Sequence, residues 1–320
     1  MREAETRVAV TTETVTRPWS WPVSVWVSCE PAWRLDRGLA PNKTFCNLPA
    51  TTTTSLLVLF RVKTSATTAP LLVTGASGQL GKLVVHHLLT TLQVSPERII
   101  AGTRDPAKLQ DLADKGVQVR KIDFSDPPTV TAAAAGVERV LLISSDDLVN
   151  REAGQKAAVE ALVDAGVKHI AYTSLQALDK TLFTSGQWYS AAKDGKVSLV
   201  ARDDFARAAT YVLASGSIES RVYELTGSEA LTVDEIVAQI SEAVEKPIQV
   251  VQVSVPDFAQ GIVAATGYPQ VIADILASVD ASTAAGVAGD VTDDYEKLTG
   301  VKPQTHREWL EANKTFLKSL

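Results

Sequence analysis

The chain has 320 residues, a net charge of −6 and an isoelectric point of about 5.4, with 45% apolar and 21% charged residues. These values are typical of a globular protein and allow one large α/β domain or two smaller ones. The acidic balance argues against a broad surface for nucleic acid or for anionic lipid, although it permits a local basic pocket. The chain has two cysteines, Cys29 and Cys46, which fits a cytoplasmic protein better than a secreted domain held by disulfides. It has no run of 18 apolar residues, so we predict no membrane span.

Residues 1–68 differ in composition from the rest of the chain. They hold four of the six tryptophans and a threonine run at 51–54, and they show little helical or strand periodicity. Acidic residues are mixed with the basic ones, which argues against a transit peptide. We therefore predict a disordered extension over 1–68.

From residue 69 onward, short apolar runs alternate with segments of helical period. The predicted strands cover residues 71–74, 99–102, 117–122, 140–143 and 169–173. The predicted helices cover residues 82–92, 107–115, 129–135 and 154–165. Such alternation predicts an α/β fold with a Rossmann-like, doubly wound parallel sheet, which we place at 69–225.

After residue 225 the sequence becomes mostly helical, and we predict a small helical substrate or cap lobe over 226–320. Thr232 and Glu235 form a capping-box pattern that opens a helix running to about Val244. Further predicted helices cover residues 257–265, 270–277 and 305–317.

A glycine-rich turn follows the first strand and opens the first helix. Gly75 permits the tight turn, Gly78 allows close approach of a pyrophosphate, and Gly81 lets the helix lie near the strand. The free N–H groups of the helix start would face the phosphates. The other residues of this predicted dinucleotide loop are Ala76, Ser77, Gln79 and Leu80.

The residues after the second and third strands bear on the choice of cofactor. Arg104 stands where a carboxylate would bind the ribose of NAD, and a guanidinium suits a 2′-phosphate. We therefore favour NADP(H) over NAD(H), with the alternative that Arg104 only solvates a surface turn. Asp123, with Phe124, is placed at the adenine edge, although an exposed loop carboxylate is an equal alternative.

Hydroxyl-bearing residues end the fourth and fifth strands at the same edge of the sheet, where ligands of such folds bind. Ser144 and Ser145 end the fourth strand, and Tyr172, Thr173 and Ser174 end the fifth. We expect Ser144, Ser145 and Thr173 to contact the cofactor, and Tyr172 or Ser174 to lie nearest the chemistry.

Several separated motifs together resemble the NmrA-like, atypical short-chain dehydrogenase/reductases, in their NAD(P)H:quinone oxidoreductase branch. They are G-A-S-G-Q-L-G at 75–81, T-R-D-P-A-K at 103–108, D-F-S-D at 123–126, L-L-I-S-S at 141–145 and A-Y-T-S-L at 171–175. The resemblance implies NADPH binding and reduction of a small quinone or carbonyl substrate by direct hydride transfer. A homodimer is the candidate assembly. Some relatives are non-catalytic redox sensors, which is the alternative function.

The chain departs from that family after residue 175. Members of the family have a helix, a sixth strand and a turn over the nicotinamide there, whereas only about twenty residues separate Ser174 from a strand-like run at 196–200. A strand–helix–strand unit needs about thirty. We therefore predict that the sixth-strand unit is deleted.

An alternative catalytic pair lies next to this deletion. Tyr189 and Lys193 match the Tyr-x-x-x-Lys pattern of ordinary short-chain dehydrogenases, in which the tyrosine donates a proton and both side chains share a helix face. Asp194 and Gly195 would break such a helix, which favours a loop instead. The four histidines show no metal-ligand spacing, so no metal is expected.

Overall fold

The computed structural model describes the backbone of residues 24–28 and, with their side chains, residues 69–145, 151–173, 186–217 and 219–319. The rest of the predicted extension lies outside the described residues. One strand inside it, β1 (Ser24–Ser28), belongs to the main sheet and was not predicted from the sequence. None of the helices in the described ranges has the length and apolar character needed to cross a membrane.

Five neighbouring parallel strands make up most of the seven-stranded main sheet and confirm the Rossmann-like α/β prediction. Their order in space is β4-β3-β2-β5-β6, so the chain winds outward in both directions from β2. Every residue of β2, β3 and β5 is buried, as expected for strands covered by helices on both faces. The strands are β2 (Leu71–Val73), β3 (Ile99–Thr103), β4 (Gln118–Lys121), β5 (Arg139–Leu142) and β6 (His169–Thr173).

The connecting helices are α1 (Gln79–Thr90), α2 (Gln110–Ala113), α3 (Pro127–Ala133) and α4 (Arg151–Asp164). Helix α1 begins three residues earlier than predicted, inside the glycine-rich turn. The helix predicted at 107–115 is instead a 3-10 turn, Pro106–Leu109, followed by the short α2, because the Asp105 carboxylate accepts a bond from the Ala107 N–H and tightens the start. A second 3-10 turn, Pro96–Arg98, precedes β3.

Beyond β6, the sheet continues with a strand from the other end of the chain. β1 pairs antiparallel with β6 on one side and with β9 (Arg221–Glu224) on the other. No parallel strand follows β6 within the described part of the sheet, because the next strand along the chain, β7 (Gln187–Ser190), pairs elsewhere. The described sheet therefore lacks a sixth parallel strand next to β6, as predicted, and the antiparallel strand β1 lies in that position.

The two faces of the sheet carry separate apolar clusters. Helix α1 and α5 (Arg202–Ala214) cover one face, where Val84, Leu88 and Val212 are buried. Helices α3 and α4 cover the other face, where Val130 and Leu162 are buried. The two layers hold the strand ends in fixed positions at the edge where the glycine-rich turn lies.

The C-terminal part combines helices with two short strand pairs. β7 pairs in parallel with β11 (Gln249–Gln252), and β8 (Lys196–Val197) pairs antiparallel with β10 (Leu231–Thr232). The strand expected at 196–200 is therefore shorter than predicted and lies outside the main sheet. The helices are α6 (Val233–Val244), α7 (Val255–Thr266), α8 (Gln270–Ala284), α9 (Asp294–Thr299) and α10 (His306–Lys318).

Capping boxes open two of these helices. The Thr232 hydroxyl accepts from the Glu235 N–H at 3.2 Å while the Glu235 carboxylate accepts from the Thr232 N–H at 2.8 Å, as the sequence predicts for α6. Thr305 and Glu308 make the same pair of bonds at the start of α10. The Thr232–Glu235 box could be predicted from the sequence because it depends on two residues that are only three positions apart.

Candidate functional site

The turn between β2 and α1 depends on glycines for two different reasons, backbone conformation at Gly75 and lack of space at Gly81. Gly75 has φ +61°, in the left-handed region. A Cβ atom on Gly81 would lie 2.3 Å from the Gly75 carbonyl oxygen and 2.7 Å from the Cα of Ala76. The N–H of Ala76 donates to the Gly102 carbonyl at 2.9 Å and so ties the turn to β3. Glycine is therefore required at position 81 for the turn to keep this shape.

The amino terminus of α1 is shaped to receive an anion. Its N-cap residue, Gly78, offers no side-chain cap, and its first turn contains no acidic residue. The first N–H groups of a helix have no partner within the helix and carry the positive end of its dipole. Gly75, Gly78 and Gln79 are exposed, whereas Ser77 and Leu80 are half-buried. This exposed, glycine-rich and acid-free helix start fits the pyrophosphate of a dinucleotide.

Positive charge collects where β3 ends, one strand away from this turn. Arg104 is exposed directly after the strand, and its charge reaches the Asp123 carboxylate at the end of the neighbouring strand. The Lys108 ammonium lies 3.9 Å from the Asp105 carboxylate within the same loop. The loop can therefore present a guanidinium to a phosphate near the ribose.

Asp123 and Phe124 follow β4 at the same edge. The Asp123 carboxylate accepts from the hydroxyl of Ser125 at 2.6 Å and from its N–H at 3.0 Å. These bonds hold the pKa of Asp123 below its usual value, and the charges of Arg104 and Lys121 act in the same direction. Phe124 is half-buried against the apolar cluster of α3 and α4. Asp123 is therefore an ionised acceptor beside the predicted adenine edge.

The ends of β5 and β6 are joined by hydroxyl groups. The Ser144 N–H donates to the Thr173 hydroxyl at 3.2 Å, and the Ser144 hydroxyl donates to the Thr173 carbonyl. Thr173 is only 1% exposed, whereas Ser144 and Ser145 are half-buried. The Thr173 side chain therefore holds two strand ends together, and the serines are the more accessible polar groups of the edge.

Tyr172 lies one residue before the end of β6 and packs on the face covered by α4. Its hydroxyl donates to the Gln155 Oε1 atom at 2.5 Å. Beside it, Nε and Nη2 of Arg151 and Nε2 of Gln155 are buried with no hydrogen-bond partner in the described ranges. Ser174, the other residue expected near the chemistry, lies outside the described residues.

Tyr189 and Lys193 do not form the helical pair that catalysis by a Tyr-x-x-x-Lys motif requires. Tyr189 lies in β7, with its hydroxyl donating to the Gln187 side chain at 2.7 Å, and Lys193 has φ +51°. A strand followed by a left-handed residue cannot place two side chains four apart on one helix face. The alternative of a helical dyad is therefore wrong, and a short strand followed by a turn occupies the segment for which a loop was favoured.

Two threonines that the sequence analysis did not select contribute to the site. The Thr74 hydroxyl accepts from the Ile143 N–H at 2.9 Å and joins the ends of β2 and β5. The Thr103 hydroxyl lies 2.9 Å from that of Ser77, between the end of β3 and the glycine-rich turn. Their positions at the ends of buried strands could have marked these threonines in the sequence, because a buried hydroxyl needs a hydrogen-bond partner.

Two of the histidines make hydrogen bonds that link separate elements of the described structure. His87 Nε2 lies 3.1 Å from the Asp203 carboxylate, which links α1 to α5. His306 Nδ1 lies 2.9 Å from the Gln239 side chain in the C-terminal part. No group of three or more metal-ligating side chains occurs among the described residues.

The chain is similar to several known proteins that bind NAD(P)H. A family model described as NAD(P)H-binding matches residues 75–219. The chain is 34% identical to quinone oxidoreductase 2 of Escherichia coli (strain K12), over 71% of this chain and 93% of that protein. The crystal structure of the NADPH-dependent quinone oxidoreductase of Escherichia coli in complex with NADPH superimposes with a TM-score of 0.68 at 31% identity, covering 75% of this chain and 98% of that one. The structure of the Citrobacter sp. triphenylmethane reductase complexed with NADP(H) gives a TM-score of 0.65 at 30% identity, covering 76% and 99%.

The alignment with the quinone oxidoreductase also bears on the predicted deletion. It spans 268 positions but only 71% of the 320 residues of this chain, which is about 227 residues. About 40 positions of the alignment are therefore gaps in this chain. A deletion of that size accords with the missing parallel strand after β6; its placement after residue 175 stays a prediction, since residues 174–185 lie outside the described part.

Proposed function

The chain belongs to the NAD(P)H-binding, NmrA-like oxidoreductase family, and from this premise we propose that it reduces a quinone-like or other small carbonyl compound with NADPH. The observation that carries the proposal is the pairing of an uncapped, acid-free helix start at Gly78 with the exposed Arg104 one strand away. The first element suits a pyrophosphate and the second suits a 2′-phosphate.

The protein would supply binding and orientation in this reaction. When bound, the reduced nicotinamide supplies two electrons and one hydrogen as hydride, and a proton from solvent completes reduction of the carbonyl or quinone. We assign Ser144 and Ser145, which are half-buried at the end of β5, to contacts with the nicotinamide half. Holding the two reactants in contact is itself a large source of rate enhancement.

Tyr172 is the described hydroxyl that we assign to the substrate end. Its position near the end of β6 favours an oxygen-bearing acceptor, as do the neighbouring N–H groups of Arg151 and Gln155, which have no hydrogen-bond partner among the described residues. An unpaired buried donor costs about 1–3 kcal/mol, and an acceptor oxygen would remove that cost. The class of acceptor proposed here agrees with the quinone named for the Escherichia coli relative.

The test is oxidation of NADPH by the purified full chain with benzoquinones, naphthoquinones and simple carbonyl compounds, together with the dissociation constants of NADPH and NADH. We expect quinone-dependent oxidation and tighter binding of NADPH. Arg104→Leu should raise the Kd for NADPH at least about tenfold and leave that for NADH within about twofold, because a charge-assisted contact is worth about 1.5–3 kcal/mol. Arg307→Leu, which removes an exposed arginine from α10, is the matched control.

A second function, a non-catalytic NADP(H) sensor, is favoured by one observation. No parallel strand follows β6 in the described part of the sheet, and about 40 positions of the alignment have no counterpart in this chain. In the family that the sequence resembles, the segment after the fifth strand covers the nicotinamide, so its loss would leave the reacting end of the cofactor less enclosed. Tight binding of NADPH without oxidation by any acceptor would establish the sensor and contradict the reductase. Weak binding of both dinucleotides would contradict both functions.

A further inference from the structure

Thr103 is a buried hydroxyl at the junction between the two halves of the proposed dinucleotide site. It is the last residue of β3, it is 3% exposed, and it immediately precedes Arg104. Its hydroxyl lies 2.9 Å from the hydroxyl of Ser77 in the glycine-rich turn. The N–H of Asp105 donates to the same oxygen at 3.3 Å. One side chain therefore contacts both the turn and the loop that carries the arginine.

These contacts fix the backbone on both sides of Arg104. On its amino side, Thr103 pairs with Lys121 in the neighbouring strand. On its carboxyl side, Asp105 is held by the Thr103 hydroxyl through its N–H and accepts from the Ala107 N–H through its carboxylate. A long, exposed side chain loses less freedom on binding when its backbone is already fixed.

We propose that Thr103 is a positioning residue that sets the preference for NADPH over NADH by holding the Arg104 loop in register with the glycine-rich turn. This inference rests on the proposed function, because it needs Arg104 to contact the 2′-phosphate. The pyrophosphate and the 2′-phosphate of NADPH are attached to the same ribose, which limits the distance between them, so the two protein segments that bind them must keep a matching spacing. The Thr103 hydroxyl is the described side-chain link between these segments.

A purely structural role makes a different prediction from a positioning role. If Thr103 only stabilised the sheet, its loss would weaken the binding of both dinucleotides and lower the melting temperature together. If it positions Arg104, its loss weakens NADPH alone, since NADH lacks the 2′-phosphate. Valine has nearly the shape of threonine without the hydroxyl, and Ser77 is half-buried and can turn to water, so the fold should tolerate the change.

The test measures the Kd of NADPH and of NADH for the full chain carrying Thr103→Val, Thr103→Ser and Arg104→Leu. We expect Thr103→Val to raise the NADPH Kd about fivefold, less than Arg104→Leu because the guanidinium remains, with NADH changed by less than about twofold. Thr103→Ser keeps the hydroxyl and should restore the ratio of the two constants. Thr210→Val, which removes another buried hydroxyl from α5, is the control for loss of stability.

The outcomes separate the inference from the proposed function. If Arg104→Leu lowers the preference for NADPH while Thr103→Val leaves it unchanged, the role of Thr103 is contradicted and the 2′-phosphate contact stands. If Arg104→Leu itself has no effect on the preference, both are contradicted. If Thr103→Val weakens NADPH and NADH equally, or Thr103→Ser fails to restore the ratio, the residue is structural.

Discussion

The Nη2 atom of Arg139 lies 3.3 Å from the Nε2 atom of His169, and both side chains are buried at the start of adjacent parallel strands. The same guanidinium donates to the carbonyl oxygens of Val212, Leu213 and Ser217 at 2.7–3.0 Å, and so caps the carboxyl end of α5. Because an arginine can only donate, His169 must present an unprotonated nitrogen to it. The pair therefore couples the protonation state of His169 to the docking of α5 on the sheet.

We predict that His169 makes the fold sensitive to acid. Burial, followed by the charge of Arg139, lowers the pKa of His169 to about 4 from an ordinary value of 6.5. The unfolded chain therefore binds a proton at higher pH than the folded one does. The stabilising contribution of the neutral ring is complete above about pH 6.5 and declines as the pH falls toward 4. We expect a loss of about 2 kcal/mol over this window after allowing for solvent screening.

The measurement is the free energy of unfolding by urea at pH 7 and pH 4.5 for the native chain and for His169→Gln. Glutamine keeps an acceptor for Arg139 but does not titrate, so its stability should fall less between the two pH values. Carboxylates and His306 titrate in both proteins and cancel in the difference. Equal losses in the two proteins would show that His169 contributes nothing to the pH dependence.

A methyl group at position 81 should strongly weaken dinucleotide binding. In Gly81→Ala the new Cβ would meet the Gly75 carbonyl at 2.3 Å, and both contacting groups are backbone that cannot move aside. We expect the NADPH Kd to rise more than about tenfold. The matched control is Gly261→Ala in the middle of α7, where a Cβ meets nothing within 4 Å and should stabilise the helix by about 1 kcal/mol. Normal NADPH binding by the position-81 variant would contradict the geometry of the turn.

Removing the Tyr189 hydroxyl should leave turnover unchanged. Tyr189 is 49% exposed in β7, and its hydroxyl donates to the side chain of Gln187 in the same strand. In Tyr189→Phe we therefore expect kcat with a quinone within about twofold of the native value. Tyr172→Phe, assayed beside it, should lower kcat/KM, because Tyr172 is the hydroxyl proposed at the substrate end. A large loss of kcat in Tyr189→Phe would contradict this prediction and support catalysis by Tyr189 and Lys193.

Pairing of β1 with β6 should stabilise the sheet. Val25 stands opposite Thr173 on one side and Tyr223 on the other, so its backbone lies within two ladders. Val25→Pro removes one donor and fixes φ, and we expect a loss of about 3 kcal/mol in the free energy of unfolding. Val25→Thr keeps the N–H and the β-branched shape and is the matched control. Identical thermal melts of the two variants would show that β1 contributes nothing to stability.

The features that the sequence predicted correctly depend on residues close together in the chain. The Gly75–Gly81 turn and the Thr232–Glu235 capping box were readable because sterics and hydrogen bonds act there over three to six residues. The five parallel strands could be predicted because strands that are buried on both faces appear in the sequence as continuous apolar runs.

The features that were missed depend on contacts between distant segments. Thr103 and Ser77 are 26 residues apart, and Arg139 and His169 are 30 apart, so no local pattern marks either pair. The short strands β7 and β8 acquire their partners, β11 and β10, from the C-terminal part. Tyr189 and Lys193 matched a motif by spacing, but the motif has meaning only on a helix, and pairing with β11 made the segment extended instead.

The position of β1 sets an order of events during folding. Val25 pairs with Thr173 and Tyr223, which follow it by 148 and 198 residues, so this strand has a far higher contact order than its neighbours. Closing so long a loop is slow, and a ribosome releases β1 long before β9 exists. The strand synthesised first is expected to be the last to dock. Until it does, β6 presents an unpaired edge that a strand from another chain could occupy.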